Sequence, residues 1–246
     1  MGYENMKVLT ITNHKGGVGK TTLVGVLLHY LSSHIKVLGI DLDPQAHLTL
    51  IFSESSFDED SITSYEFLIK KVFNPIKLKN FDLIPSSLKL ATAELELINM
   101  HAREYRLKKT LESIPQNYDL VLIDTPPHLS VLTLNAIFAS DGILIPMETK
   151  LFGLAGLSHL LKVLDELKEY VEINILGIVP TFYEKQITLH KEVLEKLETL
   201  PYKVFPPIPK RSAFQYFVET KRLDLDKESR TAIDEIVKEV LEWVKK

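Results

Sequence analysis

The sequence predicts an α/β domain with a mostly parallel central sheet covered by helices on both faces. Three observations predict it. Short apolar runs recur between stretches with helical spacing. The first run, Val8 to Thr12, alternates like a strand, and the later ones are continuously apolar, as strands buried on both sides are. A glycine-rich segment, Lys15 to Thr22, joins the first run to the first helical stretch. At 246 residues the chain fits one large domain, residues 1–246, with no internal repeat and no low-complexity tract.

In order, the pattern predicts strands over Val8–Thr12, Lys36–Asp41, Phe81–Pro85, Tyr118–Asp124, Gly142–Pro146 and Ile175–Val179. Helical spacing falls between and after them, over Leu23–Leu31, Leu88–Met100, Arg103–Ile114, Leu129–Ala139, Leu154–Tyr170 and Leu189–Leu200. The polar, acidic segment Ser53–Asp60 reads as a mobile surface loop. Near the end, Ile233, Ile236, Val237, Val240, Leu241 and Val244 form an apolar stripe beside Trp243. Such a stripe either packs on the sheet as core or docks on a membrane, and core is the expectation.

Composition narrows the function. There is no cysteine, which excludes disulfides, thiolate zinc sites and iron–sulfur clusters together. Hydrophobic residues make up 45% and charged residues 25%, the balance of a chain that buries a sizeable core. No apolar run approaches the ~18 residues of a spanning helix. The N-terminus lacks signal-peptide order, and Met6 breaks the myristoylation pattern, so a cytoplasmic protein without stable membrane association is expected. A formal net charge of −4 argues against a globally basic nucleic-acid binder, so any DNA contact needs a local patch.

The segment Lys15-Gly16-Gly17-Val18-Gly19-Lys20-Thr21-Thr22 is a phosphate-binding loop in the strand–loop–helix setting it requires. Its glycines let successive backbone N–H groups point at an anion, with the positive end of the next helix dipole behind them. Lys20 would reach the β- and γ-phosphates of a nucleotide, and the Thr21 hydroxyl would enter the shell of Mg²⁺, which prefers hard oxygen ligands. Asp41, Asp43 and Asp124 fall at or just past strand carboxyl ends, the edge where such sheets bind ligands. Asp124 either holds Mg²⁺, directly or through water, or caps a helix, since Thr125-Pro126-Pro127 follows. Asp41 and Asp43 share a face of an extended chain, and either could orient an attacking water. Lys15 lies too early to substitute for Lys20, but its ammonium on a flexible stem could cross a subunit boundary to a partner's phosphates.

The chain resembles the ParA/MinD family of deviant Walker A ATPases and, within it, the ParA/Soj-type partition ATPases. The matching residues are Lys15 to Thr22, Asp41 to Gln45, Asp124 to Pro127, Leu132 to Ala136, Leu154 to Leu157 and Ile208-Pro209-Lys210. The resemblance implies ATP and ADP with Mg²⁺ as ligands, an ATP-sandwich homodimer and slow ATP hydrolysis. It also implies ATP-dependent nonspecific DNA binding, stimulation by a centromere-binding ParB-type protein, and a nucleoid-associated location. By the same resemblance Lys15 is the signature lysine, Lys20 the phosphate-loop lysine, Asp43 the residue needed for hydrolysis, and Thr21, Asp43 and Asp124 the metal-organising set. Pro209 and Arg211 would lie in the loop against adenine.

Two stretches depart from the family pattern: Gln186 stands where an arginine often does, and Lys210-Arg211-Ser212-Ala213-Phe214 replaces an Arg-Leu-Ser-Glu-Ala run. Candidate DNA contacts are Lys185, Lys191, Lys203, Lys210, Arg211, Lys221 and Arg222, interleaved with Glu184, Glu192, Glu195 and Glu219. The alternatives are a MinD-like membrane-associated ATPase and a biosynthetic ligase that phosphorylates a carboxylate.

Overall fold

The computed structural model describes residues 6–53, 62–115 and 117–246. The seven strands are β1 (Lys7–Ile11), β2 (Val37–Asp41), β3 (Ile76–Lys77), β4 (Asp82–Ile84), β5 (Leu120–Asp124), β6 (Gly142–Glu148) and β7 (Ile175–Thr181). They form one sheet in the order β3-β4-β2-β5-β1-β6-β7, parallel throughout except for the antiparallel pair β3–β4. β1 is therefore central, and the chain leaves it into the phosphate loop at the sheet's carboxyl edge. The register sets Ile11 and Asp41 on either side of Asp124, so the acids and the loop meet at that edge.

Side chains along each strand alternate between two layers. Leu9, Ile11, Leu120 and Leu122 face a core shared with α1 (Lys20–Leu31), α2 (His47–Phe52), α8 (Ser212–Thr220) and α9 (Lys227–Val244). Val8, Val121 and Ile123 face the opposite layer, built from α3 (Leu90–Ile98), α4 (Arg106–Leu111) and α5 (Val131–Ala139). A third cluster joins β6 and β7 to α6 (Leu151–Leu167) and α7 (Thr188–Glu198).

The final stripe is core. Ile233, Ile236, Val237 and Val240 are buried against α1 and the sheet, and Leu241, Trp243 and Val244 pack partly on the same cluster. Asp226 caps α9 by accepting from Ser229 N at 2.8 Å.

Other expectations need adjusting. The predicted helix Arg103–Ile114 splits into a 3₁₀ turn, Arg103–Tyr105, and α4. β6 and β7 each run to seven residues, and α6 starts at Leu151 rather than Leu154. α2, α8, β3 and a π-helical turn at Glu66–Lys70 appear where no periodicity pointed to an element. Apart from Ser53, the predicted loop Ser53–Asp60 lies outside the described residues.

Candidate nucleotide site

Gly17 and Gly19 adopt φ of +74° and +90°, which lets the chain curl tightly between β1 and α1. Gly19 is also the N-cap of α1, and no side chain caps that end, so the first-turn N–H groups face the cradle. Gly16 sits against Pro127, and Val18 is buried, its carbonyl accepting from Thr181 Oγ1 at 2.9 Å. Thr22 opens onto the neighbouring cleft.

Lys20 is almost fully buried and its Nζ donates to Lys15 O at 3.2 Å, curled within its own loop. Burial lowers the Lys20 pKa, against the pull of Asp124 and Asp43. Asp124 is fully buried, and neither carboxylate oxygen has a hydrogen-bond partner of good geometry, although Thr21 approaches it from α1. Burial raises the Asp124 carboxyl well above the ordinary range; Asp41 and Asp43 add to this, while Thr21 and Lys20 oppose it. An orphaned, buried carboxylate beside a hydroxyl is a hard-oxygen pair that fits Mg²⁺. Among the described residues, no three His, Cys, Asp or Glu side chains are arranged to hold a metal alone.

The two leading acids differ in their surroundings. Asp41 is fully buried and accepts from Asp43 N at 3.0 Å, Thr49 N at 2.9 Å and Thr49 Oγ1 at 2.7 Å. Its pKa is pushed up to about 6, chiefly by burial. Asp41 therefore braces the turn into α2, with both of its oxygens already accepting hydrogen bonds. Asp43 lies past the strand end, where Oδ1 accepts from Gln45 N at 2.9 Å.

Lys15 Nζ pairs with Glu148 Oε2 of its own chain at 2.8 Å, and Lys150 pairs with the other oxygen of that carboxylate. Although burial works against the charge, Lys15 and Lys150 hold Glu148 below the usual carboxylate range. Glu148 was not apparent from sequence because nothing there brings the end of β6 beside the loop after β1.

Next to the loop is a cleft of about 650 Å³ lined by Gly19, Thr22, Thr181, Phe182, Pro209 and Arg211 among others. Pro209 bridges to Tyr183, two residues past β7. Arg211 lines the cleft while its Nε pairs with Asp226 at 2.6 Å and a terminal nitrogen with Glu228 at 2.9 Å, tying α8 to α9. Lys203 pairs with Glu239, and Lys210 with Glu184 at 3.5 Å, so three of the seven candidate DNA cations have carboxylate partners within the chain.

A family described as an AAA domain matches residues 6–176. A relative from Bacillus subtilis, the sporulation initiation inhibitor protein Soj, is 37% identical over 202 residues, covering 78% of this chain and 79% of the relative. The chain belongs to the ParA/MinD family of P-loop ATPases. The chromosome partitioning protein ParA of Myxococcus xanthus is 33% identical, covering 78% of this chain and 70% of that one. Among solved structures, a Borrelia burgdorferi plasmid partition protein bound to AMPPNP is similar, with TM-score 0.83 and 29% identity over 98% of this chain and 100% of that one. Cobyrinic acid a,c-diamide synthase from Mycobacterium smegmatis, with bound ADP and magnesium, gives TM-score 0.84 and 28% identity over 98% and 96%. Within this P-loop family the resemblance in Lys15 to Thr22, Asp41 to Gln45 and Asp124 to Pro127 is thus one of whole fold as well as motif.

Proposed function

We propose that this protein is a ParA-type DNA-partition ATPase that works as a nucleotide-timed switch. The observation that carries the reading is the meeting of Lys20, Thr21, Asp43 and the orphaned Asp124 under a glycine cradle, with a second lysine, Lys15, on its outer side. The loop N–H groups and Lys20 bind the polyphosphate of ATP, and Thr21 and Asp124 hold Mg²⁺, which neutralises charge on the β- and γ-phosphates. Lys15 leaves Glu148 and reaches the γ-phosphate held by a second copy, so that ATP joins two subunits. Asp43 orients the attacking water, and loss of the γ-phosphate removes the reason for Lys15 to stay across the boundary. The dimer binds DNA without sequence preference through two weak cationic patches, and a ParB-type centromere-binding protein stimulates turnover.

The test is DNA binding with and without nucleotide. Affinity for unrelated sequences should appear only with MgATP and fall steeply with salt; sequence-selective binding without nucleotide would contradict the reading. The likeness to cobyrinic acid a,c-diamide synthase favours one second reading, a ligase that transfers the γ-phosphate to a carboxylate. Turnover that depends on an added small acid would support that ligase instead. The burial of most of the α9 stripe against α1 and the sheet favours partition over the membrane-docking alternative.

A further inference from the structure

Phe182 is the residue just past β7, and it adopts φ of +55°, a left-handed conformation that side chains other than glycine, asparagine and aspartate rarely take. Both neighbours are pinned. Thr181 O accepts from Thr149 N at 3.1 Å, and Thr181 Oγ1 donates to Val18 O at 2.9 Å. On the other side Tyr183 N donates to Ile208 O at 3.1 Å, and Tyr183 O accepts from Lys210 N at 2.9 Å. The backbone is thus held in this conformation whatever residue stands at 182, and glycine or asparagine would satisfy it with less strain.

An aromatic ring stands there instead. It reaches the phosphate loop, where a Cβ built on Gly19 would lie 3.9 Å from the ring's Cε2. It also lines the 650 Å³ cleft with Thr22, Pro209 and Phe214, beside the end of the loop that takes the phosphates. We propose that the Phe182 ring is the stacking surface for the base of the bound nucleotide and makes the site prefer purine over pyrimidine triphosphates. This rests on the nucleotide-binding reading above and adds the residue that reads the base. A purine offers the ring a larger π-face than a pyrimidine, and backbone strain at a ligand-facing position is where such pre-organisation is found.

Three ligands, MgATP, MgCTP and magnesium tripolyphosphate, are titrated against the wild type, Phe182→Asn and Phe182→Leu. The wild type should bind ATP more tightly than CTP. Phe182→Asn should lose about tenfold or more in ATP affinity, the scale of one base–aromatic stack, and less for CTP. Its tripolyphosphate affinity should stay unchanged and its ligand-free melting temperature should not fall, since asparagine accepts the left-handed backbone. Phe182→Leu, which keeps apolar bulk without the π-face, should not restore purine preference. Wild-type ATP affinity in Phe182→Asn, full purine preference in Phe182→Leu, or loss of tripolyphosphate binding along with ATP would overturn the proposal. If the wild type bound neither ATP nor tripolyphosphate, the nucleotide reading itself would fall and this inference with it.

Discussion

Asp124 shows how one buried residue is defined by what it lacks. Its carboxylate is enclosed without good hydrogen-bond partners in the ligand-free fold, an arrangement that costs stability and that a cation offsets. Asp124→Asn should therefore leave the ligand-free melting temperature unchanged or higher while removing most of the magnesium dependence of ATP binding; a marked loss of ligand-free stability would assign the residue to structure instead. Lys20→Ala should abolish ATP binding, and Asp43→Ala should keep it while stopping phosphate release, measured by titration and steady-state turnover. His14 gives a pH signature. Its pKa is held below 6.5 by burial, by His159, whose ring is edge-on at 5.2 Å, and by Lys20. The folded state then holds fewer protons here than the unfolded chain, so this contribution is present above pH 6.5 and lost as pH falls through that value toward the depressed one. Asp41 and Asp124, whose carboxyls are raised, add stability as pH falls through the same range, so the His14 contribution shows as a difference: the ligand-free melting temperature of the wild type should fall relative to that of His14→Gln as pH drops below about 6.5. The phosphate-loop residues were legible in sequence because spacing alone defines them. The split between Asp41 and Asp43 was not, because it depends on Thr49 in α2, and the left-handed backbone of Phe182 leaves no mark in composition or period.

The elements that were legible are those whose burial leaves a long trace. Six strands announced themselves as apolar runs, the first alternating and the others continuous, because both faces of the sheet are covered. β3 has two residues at the sheet edge and α2 has six, too few to establish a period. α8 buries one side chain fully, Phe217, while Tyr216 and Val218 remain partly exposed, so its pattern is weak. That one side chain matters: Phe217 packs on Gly25 and lies 6.2 Å from Phe52 and 6.3 Å from His29, ring to ring, at the junction of α1, α2 and α8. Phe217→Ala should cost about 3–5 kcal/mol in denaturant unfolding. Gly153, in the first turn of α6, has no room for a side chain, since a Cβ there would meet Glu148 O at 2.1 Å. Gly153→Ala should destabilise by about 1–3 kcal/mol and move the carboxylate that holds Lys15, changing stability and nucleotide response together.

At the scale of the molecule, the sheet order puts β1 between β5 and β6 and so sets the loop, Asp124 and Glu148 at one edge. Fold class, six of the seven strands and the phosphate loop were legible in the sequence because apolar runs and the glycine pattern state them locally. The surface did not, because charge counts do not record pairing: Lys203, Lys210 and Arg211 look like DNA contacts in sequence and have carboxylate partners in the fold. In the proposed function DNA is held by two subunits together, which makes association the central claim. The direct measurement is the mass in solution of the Asp43→Ala protein, by sedimentation or light scattering, with ADP and with MgATP. The account predicts twice the monomer mass with MgATP and a return to monomer when Lys15 is also replaced by Ala. A protein that binds MgATP yet stays monomeric at high concentration would contradict it.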